Sequence, residues 1–135
     1  EIVYSRPYKK GRIIFGTEED GALQPYGTYW RLGANEATTF EINREIMFAG
    51  NSLAPGKYSM YATPGKETWR ISINSEANRW GFSEPDHNND VMSVEVPVTY
   101  SDEVTEQFTI NIGASGQGAE IILIWDTSIV KIPVM

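Results

Sequence analysis

Trp69-Arg70-Ile71-Ser72-Ile73-Asn74 alternates apolar and polar residues without a break, and this stretch decides the fold class. Only a period of two puts Trp69, Ile71 and Ile73 on one face, so the predicted element is a β-strand with one buried side and one side in water. The same alternation recurs in Met92, Val94, Val96 and Val98, and again in Phe108, Ile110 and Ile112. Pro97 has no N–H to give to a ladder, which predicts that its strand lies at an edge or ends there. Ala119 to Trp125 is apolar on both faces apart from Glu120, the pattern of a central strand covered on both sides or of an interface.

The punctuation between these runs is turn chemistry. In Leu53-Ala54-Pro55-Gly56-Lys57 the proline presets φ and the glycine accepts positive φ, leading into Tyr58 to Ala62. Pro64-Gly65 then turns the chain into the Trp69 strand, so residues 53 to 74 read as a hairpin. Further strands are predicted near Arg12 to Phe15, Tyr29 to Arg31, Thr38 to Ile42, Ile46 to Phe48 and Ile129 to Val134. No amphipathic helix is legible. The fold class that follows is all-β, a two-sheet antiparallel sandwich with a jelly-roll-like arrangement of about nine or ten strands. The longest irregular stretch is Ser75 to Asn89, and loops longer than about 12–15 residues are commonly functional or carry a short helix, which Ser75 to Asn78 could start.

The 135 residues suit one domain spanning 1–135. The 5 Phe, 4 Trp and 7 Tyr, with many Ile, Val and Thr, favour pleated, half-buried strands. The 18 acidic against 11 basic residues give a net charge of −7, which repels a phosphate backbone and argues against nucleic acid as a partner. The longest apolar run, Ile121 to Trp125, is far shorter than the roughly 18–20 residues of a bilayer span, so no membrane span is expected. Cysteine is absent, which excludes thiol nucleophiles, thiolate metal sites and disulfides. The first residue is Glu1 and not Met, which fits removal of an export signal.

Ser5 to Gly16, Pro25-Tyr26-Gly27 and above all Trp30-Arg31-Leu32-Gly33-Ala34-Asn35-Glu36-Ala37-Thr38 form a family pattern. Leu53 to Ser59, Trp69 to Asn74, Trp80-Gly81, Asp90-Val91 and a final strand ending at Pro133 continue it. The chain resembles the bacterial family known as domain of unknown function 2911 over nearly its whole length. The resemblance implies an exported β-sandwich of Bacteroidetes-type bacteria, periplasmic or extracellular, and it brings no catalytic or binding residues with it. Two stretches depart from the pattern: Thr17 to Ala22 resembles an acidic insertion, and His87-Asn88-Asn89 stands where more charge is usual.

Arg31, Asn35, Glu36 and Thr38 pack a fork-shaped cation, an amide, a carboxylate and a hydroxyl into eight residues, enough to clamp a carboxylate or a sugar hydroxyl. The competing reading is structural, with Arg31 paired to Glu36 at a loop between sheets and Gly33 permitting the turn. Tyr26, between Pro25 and Gly27, is the aromatic most expected beside an exposed cleft, whereas Trp69 belongs to the core. Arg6, Lys9, Lys10 and Arg12 form a basic run, either an anion patch to which Arg12 contributes or a segment paired with the acidic body. Glu84, Asp86, His87 and Asp90 match no recognised ligand spacing, so no metal and no cofactor are expected. His87 is the single histidine and no serine sits in a nucleophile elbow, which disfavours a triad.

Three functions remain open on these residues. The first is a non-catalytic cell-envelope module binding a small polar or carbohydrate ligand through Arg31, Asn35, Glu36, Thr38, Tyr26 and Arg12. The second is a carbohydrate-active hydrolase using Glu36 as acid or base. The third is an assembly domain forming a homo-oligomer through exposed strand edges or the two-faced Ala119 to Trp125 strand.

Overall fold

A computed structural model describes residues 1–77 and 84–135. Among these the chain is all-β, with ten strands: β1 (Ile2–Val3), β2 (Phe15–Gly16), β3 (Gln24–Pro25), β4 (Thr38–Ile42), β5 (Ile46–Phe48), β6 (Asn51–Leu53), β7 (Gly56–Thr63), β8 (Thr68–Asn74), β9 (Asp90–Ser115) and β10 (Gly118–Val134). Eight of them form one antiparallel sheet in the order β1-β4-β7-β8-β9-β10-β5-β6, and β2 and β3 pair in parallel as a small second sheet. Among the described residues no closed barrel forms.

The two layers of the sandwich are halves of that one large sheet. β9 pairs with β8 up to Pro97 and with β10 from Val98 onward, so a single strand passes from one layer to the other. Pro97 stands at this exchange of partners, on the last rung shared with Thr68, and its missing N–H costs no ladder bond there. The predicted strands at Met92 and Phe108 therefore fuse into β9, and those at Ala119 and Ile129 into β10. Between Thr109 and Tyr100 β9 spends more residues than β10 spends between Ile124 and Ser128, and Asp126 takes φ 55 at the corner. Such bulging bends a ribbon. The bend is sharp enough that a methyl group on Gly118, at the start of β10, would collide with the carbonyl oxygen of Val134 at its end.

Folding the sheet over buries its apolar rows against each other. Trp69 of β8 faces Phe108 of β9 and Trp125 of β10, and Trp30 wedges between them, 5.7 Å from each tryptophan and 4.9 Å from Phe108. Phe40 of β4 meets Phe48 of β5 at 5.7 Å on the far side of the core. A fully buried Leu, Ile or Phe side chain contributes about 1.5–3 kcal/mol, and Leu32, Ile71, Ile73, Phe108, Leu123 and Ile132 are all sealed in this way. The run Ala119 to Trp125 pairs with β9 along one side, while β5 meets β10 only at its far end, Phe48 opposite Val134; Ile121, Leu123 and Trp125 are buried and Ile122 and Ile124 half-buried.

Local differences from the sequence reading have simple causes. Tyr29 to Arg31 is not a strand: only Trp30 forms a bridge, to Ala62, because β4 already pairs with β7 as far as Met60. Ser75 to Ala77 carries no helix, Asn78 lies outside the described residues, and the short helical turn is instead His87–Asn89, capped by the Asp86 carboxylate on Asn88 N–H. Trp80 and Gly81 also lie outside the described residues.

Candidate functional site

Alternation along β7 sends Tyr58, Met60 and Ala62 into the core and Ser59 and Tyr61 to the outer face. Register then lines up polar rows: Tyr61 is opposite Ser72, which is opposite Ser93, while Ser59 is opposite Asn74, which meets Asp90. The alternation in Trp69 to Asn74 predicts water on this side. Arg70 is exposed as expected, but the structure buries the rest of this side, leaving Ser59 and Asn74 at 0%, Ser72 at 1% and Tyr61 at 3% exposure.

Burial of polar groups is tolerated when each finds a partner. The Tyr61 hydroxyl donates to Asp90, with its two carboxylate oxygens at 2.7 and 2.9 Å. Asn74 donates to Asp90 Oδ1 at 2.9 Å and to the Asp86 carbonyl at 3.1 Å, and accepts from Glu76 N–H at 2.8 Å. Ser72 and Ser93 hydroxyls bond at 2.8 Å, and Asn89 holds Glu76 at 2.5 Å. His87 closes the network, with Nδ1 2.9 Å from Tyr61 Oη and 3.2 Å from Asp90, and Nε2 3.0 Å from Glu84. Burial, then the bond to Asp90, holds the Tyr61 phenol far above the usual tyrosine value, with Ser72 opposing, so this hydroxyl is a permanent donor. The Tyr29 ring lies 5.3 Å from that of Tyr61.

The candidates at residues 30 to 38 divide between scaffold and surface. Thr38 is wholly buried and its hydroxyl donates to the Leu32 carbonyl at 2.6 Å, while Trp30 Nε1 donates to Gly33 at 3.3 Å. Gly33, at φ 154, lies so close to the Ser5 carbonyl that a side chain would not fit. Asn35 is exposed in a left-handed conformation, Glu36 is exposed, and the Arg31–Glu36 ion pair does not form. Arg31 is half-buried, and its Nε, like the Ser59 hydroxyl, is a sealed polar atom without a hydrogen-bond partner among the described residues. The Trp30–Ala62 bridge sets Arg31 across from Tyr61 on β7, so both orphaned groups belong to the same strand and its neighbour.

The other two candidates sit in separate turns. Arg12 donates from Nε to the Lys9 carbonyl at 2.9 Å and from its terminal nitrogen to that of Tyr8 at 2.6 Å. Of the rest of the basic run, Lys9 pairs with Asp126 at 3.2 Å and Arg6 donates to the Phe108 carbonyl at 3.2 Å, while Lys10 is exposed. Tyr26 is half-buried in a turn docked on Pro64 and neighbours Tyr100, whose pKa is raised by burial and then by Tyr26.

The chain matches, over residues 1–134, the model of a family described as protein of unknown function (DUF2911). It belongs to the DUF2911 family. No curated protein and no solved structure matches it.

In this DUF2911 member, the loop acids flagged by sequence have structural partners: Asp86 caps the short helical turn, and Glu84 and Asp90 flank the imidazole. Among the described residues no group of three or more His, Asp or Glu side chains is arranged to hold a metal ion. No helix among them is long and apolar enough to cross a membrane. His87 meets a tyrosine and two carboxylates, not a serine. Sequence reasoning singled out His87 and Asp90 only as part of a loop cluster matching no ligand spacing and Tyr61 only as one of several aromatics, and it did not bring in Ser72 and Asn74, because alternation along Trp69 to Asn74 assigns them to solvent. The available signal was the length of the loop that begins at Ser75.

Proposed function

We propose that this DUF2911 member is a non-catalytic module that binds a small polar ligand, a carbohydrate or a carboxylate, beside β7 and the Arg31–Glu36 loop. The observation that carries this reading is Arg31: a half-buried, permanently charged group whose Nε–H is sealed from water with no acceptor among the described residues. An unmet buried donor costs about 1–3 kcal/mol, which marks this guanidinium as held in place without a protein acceptor, and a ligand oxygen bonding its outer nitrogens would supply the charge-assisted partner the protein does not. The Ser59 hydroxyl is a second unmet group on β7, and Asn35 and Glu36 supply an exposed amide and carboxylate on the adjoining loop. As the family resemblance suggests, the module belongs in the cell envelope.

The test is calorimetric titration with a panel of monosaccharides, uronic acids and small dicarboxylates. Arg31→Met is expected to abolish whatever binding the panel reveals while the variant melts as a folded domain. Undiminished binding by Arg31→Met would reject the site. Should that variant fail to fold, exposed Asn35→Ala carries the test, since it is expected to weaken binding with melting unchanged.

A further inference from the structure

The one histidine of the chain is held by acids at both ring nitrogens. His87 Nε2 faces Glu84 at 3.0 Å and Nδ1 faces Asp90 at 3.2 Å, with Tyr61 Oη at 2.9 Å. A neutral imidazole has one donor and one lone pair, so it satisfies only one of these carboxylates and points a lone pair at the other. The imidazolium donates to both. Tyr61 cannot relieve the conflict cheaply, because turning its proton to Nδ1 takes it away from Asp90, which it holds through 2.7 and 2.9 Å contacts.

We propose that a proton on His87 clamps the turn at residues 84–90 onto Tyr61 of β7, so that the polar outer face is ordered when His87 is charged and loosened when it is neutral. The surrounding groups agree in sign. From the turn come Glu84 and Asp90, with Asp86 already engaged by Asn88 N–H. Beyond β8, Glu76 is engaged by Asn89, β7 contributes the phenol of Tyr61, and β8 contributes only neutral Ser72 and Asn74. No cation among the described residues pairs with this cluster. The His87 pKa is raised accordingly, first by the bond to Glu84 and next by that to Asp90. Because folding raises it, the clamp is complete below the ordinary histidine value of about 6.5 and is lost as pH rises through the raised value.

The effect of the clamp on binding rests on the function proposed above, but the clamp itself is testable without ligand. Proton NMR of the sole histidine is expected to show a pKa above about 6.5 that falls in Glu84→Gln. Amide protection factors for Ser75, Asn89 and Asp90, whose N–H groups hold this turn together, are expected to drop as pH rises through that pKa, and to stay level with pH in His87→Gln. A histidine titrating at or below its ordinary value, or protection that ignores pH in the wild-type chain, would overturn the clamp. Affinity for a panel ligand that stays constant while the turn loosens would cut the link to binding and leave the clamp intact. Loss of binding in Arg31→Met with no pH-dependent protection would do the reverse.

Discussion

β7 and β8 each present one row of side chains to the tryptophan core and another to the outer face, and Ser59, Tyr61, Ser72 and Asn74 of the outer row are buried as well. Inward, Met60, Ile71 and Ile73 are held by dispersion and by exclusion of water, which ask for volume and little for direction. Outward, Tyr61, Ser72 and Asn74 are held by directed bonds to one another and to Asp90. The inner face tolerates a change of shape at a cost set by the cavity. The outer face has few bonds, each of which is expensive to leave unmade.

The sharpest way to break the comparison is on the core side. Trp30→Ala removes the ring that joins the two halves of the sheet, and is expected to cost about 3–5 kcal/mol in urea unfolding. Next, Asn74→Ala removes one acceptor and two donors from the outer network and is expected to cost about 1–3 kcal/mol, read from the denaturation midpoint. Tyr61→Phe keeps the ring against Tyr29 and deletes only the hydroxyl, so a loss of about 1–2 kcal/mol in thermal melting is expected. A variant as stable as the wild type would show that the outer face is buried for its apolar area alone. Smallest is the exposed Arg70–Glu95 pair at 3.3 Å on the same face of β8, where a double-mutant cycle should find about 0.2–1 kcal/mol. A larger coupling there would blur the contrast between buried and open polar rows.

The inner rows were readable because a strand's two faces differ in hydrophobicity by sequence position alone. Trp69, Ile71 and Ile73 are core residues as their spacing requires, and the turns at Pro55-Gly56 and Pro64-Gly65 bracket β7 as their chemistry requires. The outer network was not readable, because whether Ser72 meets water depends on what a later segment does. Asp90 lies sixteen positions beyond Asn74 and reaches it only through strand register. The string from Trp30 to Thr38 illustrates both cases. Its residue types announced a specific local structure, yet nothing in them separated Thr38, spent on Leu32, from Arg31, left with an unmet nitrogen.

From sequence alone come the all-β class, most of the strand positions and the identity of the buried apolar rows, since each follows from a period of two and from residues that favour or forbid particular backbone angles. Tertiary structure alone decided that the two layers are one sheet folded through β9 and β10. It also decided that Tyr61, Asn74, His87 and Asp90 share a site. Those outcomes depend on bulges, partner exchange and long-range register, which are properties of how segments meet and which no segment carries by itself.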